Sequence, residues 1–181
     1  MTIMQNLTQK LYKESIKDIK TKFLHNNDLA VPRLKMVSLN IGIKADDADS
    51  KLLLSLVSQL STLSGQKAVL TKSRKSIASF RLRKNIPVGC MVTLRRKNMY
   101  NFLDKLINIS LPRVRDFRGL SSKGFNQSFH YSFGIRDNSI FLESDTENSL
   151  KALGLNINIV TTAKTREEAL YLLKKLNLPI K

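Results

Sequence analysis

The sequence has few acidic residues, a single cysteine and no long apolar run, and each shortage excludes a class of protein. Asp and Glu together number 14 against 31 Lys and Arg, which gives a formal charge of +17. Cys90 is the only cysteine, so the chain forms no internal disulfide, as suits a reducing compartment. No apolar run approaches the roughly 20 residues that a membrane-spanning helix needs. Nucleic acid is therefore the first expected partner, ahead of an anionic membrane surface.

The shortage of acid is concentrated in one part of the chain. Between Asp49 and Asp104 there is no acidic residue. The cations of this stretch are Lys51, Lys67, Lys72, Arg74, Lys75, Arg81, Arg83, Lys84, Arg95, Arg96 and Lys97. An uncompensated positive field of this length is typical of a surface that binds a polyanion.

The hydrophobic pattern predicts one α+β domain over residues 1–181, because no linker or repeat divides the chain. Strands are predicted over residues 36–43, 67–72, 88–94, 129–135 and 155–159. Helices are predicted in the N-terminal segment, where lysines form one stripe, from Asp49 or Ser50 to Gly65, from Asn98 to a point before Pro112, and from Thr165 to Asn177. A basic loop is predicted at about 73–86.

The outward positions of the predicted strands share small hydrogen-bonding groups. They are Ser38, Asn40, Thr93, Arg95, His130, Ser132, Asn156 and Asn158. If the strands form one sheet with the helices on its other face, this polar face is open to a partner. Because it lacks exposed aromatic residues, it favours a folded, helical RNA over single strands. The alternative is an ordinary solvated face.

Residues 72–84 combine six cations with two isolated apolar residues, Ile77 and Phe80. Such a segment repels itself in the free protein, so we expect it to become ordered when phosphates neutralise it. The alternative is a flexible, solubilising loop.

No pattern of residues indicates catalysis or a metal site. His25 and His130 are far apart in the sequence, and Cys90 lies on the inward side of its predicted strand. No Cys/His cluster has zinc spacing. Asp46, Asp47 and Asp49 could hold a divalent cation, but Asp49 is better explained as a helix cap. We therefore predict no catalytic residue, no cofactor and no small-molecule substrate, with an RNA-modifying enzyme or a general nucleic-acid-binding module as the alternatives.

Four segments carry a resemblance to a known family. They are LSGQKAVLTKSRKSIA (63–78), PVGCMVTLR (87–95), LPRVRDFRG (111–119) and IVTTAKT (159–165). In these segments, and in collinear order, the sequence resembles the bacterial-type large-subunit ribosomal protein five. The resemblance implies a five-stranded antiparallel sheet flanked by helices. It also implies binding to 5S rRNA and large-subunit rRNA in the central protuberance.

The resemblance assigns roles to particular residues. The implied 5S contacts match Asn40, Gln66, Thr93 and Arg95, and the loop Ser73–Lys84 matches the segment that reaches P-site tRNA. A small-subunit head protein and neighbouring central-protuberance proteins are further implied partners, and no membrane is. The full set of predicted RNA-binding residues is Asn40, Gln66, Lys67, Thr71, Lys72, Arg74, Lys75, Thr93, Arg95, Arg113, Arg115 and Arg118. The predicted tRNA-contacting loop comprises Ser73, Arg74, Lys75, Ser76, Ile77, Ala78, Ser79, Phe80, Arg81, Arg83 and Lys84.

The expected location is a ribosome. The charge is higher than we expect for a free-living bacterial member of this family, and the many Lys, Asn and Ile residues suggest an AT-rich gene. A mitochondrial matrix, or another organelle, is therefore slightly favoured over a bacterial cytoplasm.

Overall fold

The computed structural model describes residues 7–43, 50–136, 140–141 and 154–181, with the side chains of residues 50 and 51 left out. The fold is α+β, with an antiparallel sheet as the sequence predicted. The helices are α1 (Leu7–Lys22), α2 (Ser50–Ser64), α3 (Arg96–Lys105) and α4 (Arg166–Lys175). The strands are β1 (Leu34–Gly42), β2 (Val69–Lys72), β3 (Pro87–Leu94), β4 (Tyr131–Ile135) and β5 (Leu155–Thr161).

The five strands are hydrogen-bonded in the order β2-β3-β1-β5-β4. The chain falls into two compact units. The terminal unit comprises Met1–Val37, Arg95–Phe133 and Asn158–Lys181, and the central unit comprises Ser38–Leu94 and Gly134–Ile157. That the chain is one domain stays a prediction.

In the terminal unit, side chains cap the starts of two α-helices, α1 and α4. Asp104 on α3 accepts a hydrogen bond from the backbone N–H of Thr8 at 2.8 Å, so a carboxylate 96 residues away caps the start of α1. The predicted cap of α4 is confirmed, because Thr165 Oγ1 accepts from Glu168 N at 3.3 Å. On the facing surfaces of α1 and α4, Lys175 Nζ lies 2.5 Å from Asp18 Oδ2.

The predicted start of α3 was wrong. The helix begins at Arg96, and Asn98 lies in its first turn and does not cap it. The extended backbone of β3 continues to Arg95, and the positive φ of 51° at Arg96 then makes the turn into the helix. The α-helix ends at Lys105, before Pro112 as predicted, but helical backbone continues through a π-helical turn at Leu106–Ser110 and a 3-10 turn at Leu111–Arg113 that contains Pro112.

The central unit contains the alternation that the sequence predicted for β1 and β3. Val37, which belongs to the terminal unit, begins the buried series in β1, and Leu39 and Ile41 continue it. In β3 the buried side chains are those of Cys90, Val92 and Leu94. The buried leucines of α2 are Leu53, Leu56, Leu60 and Leu63. The helix ends at Ser64 and is followed by Gly65, whose φ of +64° suits a residue without Cβ.

The fourth strand begins two residues later than predicted, so His130 is not an outward strand position. Asn126 Oδ1 accepts hydrogen bonds from Ser128 N at 3.0 Å and His130 N at 2.8 Å, which holds a turn ahead of the strand. Phe129 has a φ of 59° in this turn. An Asn side chain that binds its own downstream backbone competes with strand pairing, which explains the difference.

Candidate RNA-binding surfaces

The outer side of the central unit's strands forms a surface that we call the open face. Its residues are Ser38, Asn40, Val69, Thr71, Met91 and Thr93. In the β2–β3 register, Val69 lies opposite Met91, and Thr71 lies opposite Gly89. Asn40 is exposed and Thr93 is half-buried, each alternating with buried neighbours on its strand. Of the predicted 5S contacts, these two therefore lie on neighbouring strands with their polar groups accessible.

The open face is not uniformly polar, although the outward positions of the predicted strands indicated a polar surface. Val69 is 63% exposed and the opposing Met91 is 38% exposed. This exposed pair, with Val69 on the edge strand and Met91 on the strand beside it, forms an apolar patch next to the hydrogen-bonding groups of the face. The pairing joins residues 22 positions apart in sequence, so only the alternation of β3 hinted at it.

A turn after α2 presents Gln66 and Lys67, both exposed. Ser64 is buried, and its hydroxyl accepts from Gln66 N at 3.3 Å and donates to Gln66 O at 2.8 Å. Ser61 Oγ accepts from Ala68 N at 2.9 Å. These two serines hold the backbone on either side of Lys67, so the turn has a defined shape.

The basic loop Ser73–Lys84 is hydrogen-bonded across its own length. Ser73 N donates to Ile86 O at 2.8 Å, and Asn85 N donates to Ser73 O at 3.0 Å. Ile77 and Leu82 exchange two backbone bonds of 2.9 and 3.1 Å, with a short 3-10 turn at Ala78–Phe80 between them. Arg74, Lys75, Arg81, Arg83 and Lys84 are all exposed. The loop thus presents its cations on a folded hairpin.

The charged residues of the central unit that the structure describes are all positively charged. Its described residues include no Asp or Glu, whereas they include Lys67 and Lys72 beside the cations of the loop. Both lysines are exposed, and Thr71 between them is half-buried. The positive field faces solvent, where phosphates can reach it.

A second group of predicted residues lies on the terminal unit. Arg95 follows β3, and its Nη2 lies 3.6 Å from the sulfur of Met36. Arg113, Arg115 and Arg118 are exposed on the segment that follows α3. The C-terminal end of that segment is hydrogen-bonded to the last residues of the chain. Leu120 N donates to Pro179 O at 2.7 Å, and Lys181 N donates to Leu120 O at 2.9 Å. These three arginines therefore extend from an anchored segment.

The structure also places Cys90, His25 and His130, the residues considered as candidates for catalysis. Cys90 is 1% exposed, and burial raises the pKa of its thiol to about 11, so it is protonated at neutral pH. His25 lies beside Glu168, with 3.7 Å between Nε2 and Oε1, and His130 is half-buried in its turn. Among the described residues, no group of three or more His, Cys, Asp or Glu is placed to hold a metal ion. Asp46, Asp47 and Asp49 lie outside the described residues.

No helix in the described ranges has the length and apolar character needed to cross a bilayer.

Comparison with known proteins identifies the class to which this fold belongs. The family model described as "Ribosomal protein L5" matches residues 27–83, and the model for the C-terminus of the same ribosomal protein family matches residues 87–180. Among curated proteins, the "Large ribosomal subunit protein uL5" of Geobacter sulfurreducens is 46% identical over 178 residues, which cover 98% of this chain and 99% of that protein. The uL5 of Desulforapulum autotrophicum is 48% identical over 178 residues, which again cover 98% of this chain and 99% of that protein.

These matches define a ribosomal protein of the large subunit. The chain belongs to the uL5 family, as the resemblance in the sequence indicated. It is a structural constituent of the ribosome and takes part in translation, and it is not an enzyme. Membership of this family implies the ribosome and ribosomal RNA as partners, without specifying which rRNA.

The organisms of these relatives also indicate whether the ribosome of this chain is bacterial or organellar. Clostridium botulinum uL5 is 45% identical over 177 residues and, like the two relatives above, is bacterial. A ribosomal location is thus established for the chain, but the preference for a mitochondrion or another organelle finds no support.

Proposed function

We propose that this chain binds 5S rRNA through the open face and the Gln66 turn, and so holds that RNA to the large-subunit rRNA of the central protuberance. The observation that carries the proposal is the placement of Asn40 and Thr93 on neighbouring strands, accessible and within a region whose described residues carry no acid. Amide and hydroxyl groups bind sugar hydroxyls and base edges, and the surrounding cations bind phosphates.

The two kinds of group have different roles in this proposal. Lys67, Lys72, Arg74 and Lys75 supply attraction that does not depend on the RNA sequence. Asn40, Gln66 and Thr93 require a particular arrangement of RNA groups opposite them, because an unmatched polar group loses its hydrogen bonds to water. Arg95 and the arginines Arg113, Arg115 and Arg118 of the terminal unit extend the contacts to RNA phosphates.

The basic loop has a further role in the proposal, which is contact with P-site tRNA. Its support is the folded hairpin with exposed cations, together with the family resemblance of residues 73–84. Contact with a small-subunit head protein and with neighbouring proteins of the central protuberance completes the proposed set of partners. A cross-linker at position 77 that reaches tRNA in assembled ribosomes would support the loop's role, and cross-links to rRNA alone would refute it.

The test of 5S recognition separates the two kinds of group by substitution. Asn40→Ala, Gln66→Ala and Thr93→Ala should each lose about 1–3 kcal/mol of binding free energy on 5S rRNA and change little on random RNA of equal length. Arg95→Ala should weaken binding to both RNAs. Asn26→Ala, which removes an exposed amide of the terminal unit that lies on no strand and was not predicted to bind RNA, is the matched control. Equal losses on both RNAs for every variant would refute recognition by the open face.

A further inference from the structure

A groove lies beneath the basic loop, within the central unit. Its volume is about 750 Å³. Half-buried Ile43, Leu82 and Val88 form its apolar wall, and Phe80 and Ile77 border it. The Ile77–Leu82 bonds, and the bond of 2.9 Å from Ile43 N to Val88 O, give this groove a backbone frame.

The exposed aromatic ring is the unusual part of the groove. Phe80 is 67% exposed and Ile77 is 41% exposed, on a loop whose other apolar side chains are those of Ala78 and the half-buried Leu82. A ring at the end of a short 3-10 turn, exposed at the surface, offers a flat apolar face to a partner. The sequence showed these two residues as isolated apolar positions, and the structure brings both to one groove.

Cations lie beside this apolar surface. Arg74 and Lys75 line the same groove and are exposed, and no Asp or Glu is found among the described residues of the central unit. An occupant must therefore combine a flat apolar face with negative charge. A nucleotide whose base is unpaired has both, whereas a base within a duplex has its faces covered by its neighbours.

We infer that this groove binds one unpaired nucleotide of an RNA, with its base stacked on Phe80 and its phosphate against Arg74 and Lys75. The inference rests on the proposed RNA binding, and it adds a second mode of recognition to it. The open face binds a folded RNA surface through polar groups, and the groove under the loop binds a base that is not stacked within an RNA helix.

The test uses an RNA hairpin with one bulged 2-aminopurine and the same hairpin with that base paired. Wild-type protein should bind the bulged hairpin more tightly and quench its fluorescence, because stacking on an aromatic ring quenches this base. Phe80→Ala should weaken binding to the bulged hairpin about 5- to 150-fold and abolish the quenching, while leaving affinity for the paired hairpin unchanged. The ring is largely exposed, so the variant should keep the thermal stability of the wild type.

Two further variants distinguish stacking from simple apolar contact. Phe80→Tyr keeps an aromatic face and should retain the preference for the bulge. Phe80→Leu keeps an apolar side chain without that face and should lose it. Equal affinity of the wild type for both hairpins, or an unchanged preference in Phe80→Ala, would overturn the inference. Either result would leave the 5S proposal standing, since that is judged by the Asn40 and Thr93 variants on 5S rRNA.

Discussion

The buried hydroxyl of Ser64 bonds to both backbone groups of Gln66, accepting from its N–H at 3.3 Å and donating to its carbonyl at 2.8 Å. Ser64 is shielded from solvent, whereas Gln66 is exposed. The serine therefore fixes the backbone from which a proposed RNA-binding side chain extends.

Ser64→Ala should weaken binding to 5S rRNA even though Ser64 cannot touch the RNA. Losing these bonds should also lower the free energy of unfolding by about 0.5–1.5 kcal/mol. The double variant Ser64→Ala/Gln66→Ala should bind no worse than Gln66→Ala, because both changes remove one contact. Fluorescence anisotropy measures this, with Ser58→Ala on the exposed side of α2 as the control. Additive losses would show that Ser64 does not act through Gln66.

Gly89→Ala should destabilise the central unit. A Cβ at position 89 would clash with the carbonyl oxygen of Ile41 and lie 3.2 Å from the Cα of Gly42, and a backbone atom cannot rotate away. We expect a loss of about 1–3 kcal/mol or more in the free energy of unfolding by urea. Gly42→Ala is the matched control, because its Cβ would meet nothing within 4 Å. Equal unfolding midpoints for the two variants would contradict the close approach of β1 and β3.

Stability should fall at alkaline pH through Cys90. Burial raises the pKa of its thiol from 9.0 to about 11, so the folded state disfavours the thiolate. The resulting stability is complete below pH 9.0 and is lost as the pH rises to about 11, with a total of about 3 kcal/mol.

Cys90→Ala removes this contribution, and urea unfolding at several pH values measures it. The pKa values of Tyr12, Tyr100 and Tyr131 are also raised by burial, but these tyrosines affect both proteins alike. The wild type should therefore lose more stability than the variant between pH 9 and 11. Parallel pH profiles would show that the thiol titrates as it does in the unfolded chain.

Trypsin should cut the loop first in the isolated protein and much more slowly in the ribosome. Its hydrogen bonds are solvent-exposed and little apolar surface is buried beneath them, so local opening is easy. Bound RNA should hold the hairpin closed and cover its cations. Mass spectrometry of timed digests gives the order of cleavage, with the exposed lysines of α1, such as Lys13 and Lys17, as an internal comparison. Equal loop cleavage in both states would mean that RNA does not protect it.

Local pattern was enough to predict most elements of this fold. The alternation in β1, β3 and β5 and the leucine spacing of α2 depend on neighbours in sequence, and they were read correctly. Two contacts were missed for different reasons. Asp104 caps α1 from 96 residues away, and no local pattern marks that contact. Asn126 is only four residues from His130, and its side chain holds the turn that keeps His130 out of β4, so a local preference of Asn outweighed the alternation that predicted a longer strand.

The RNA-binding surfaces also have one part that the sequence pattern predicts and another that depends on the three-dimensional arrangement. Asn40 and Thr93 were predicted as outward residues because alternation alone decides which side of a strand they occupy. The apolar pair Val69–Met91 and the groove under Phe80 depend on strand register and on the path of the loop. Spacing in the sequence does not determine either of these.

Affinity for 5S rRNA, measured in competition with random RNA of equal length at fixed salt, tests the central claim most directly. Charge alone would attract both RNAs equally. The ratio of the two affinities therefore measures the recognition of 5S rRNA apart from the attraction due to charge. The wild type should bind 5S rRNA at least about 100-fold more tightly, a modest ratio for specific nucleic-acid recognition, and Asn40→Ala and Thr93→Ala together should lower the ratio by about tenfold or more. A ratio near one for the wild type would contradict the claim that this chain recognises 5S rRNA.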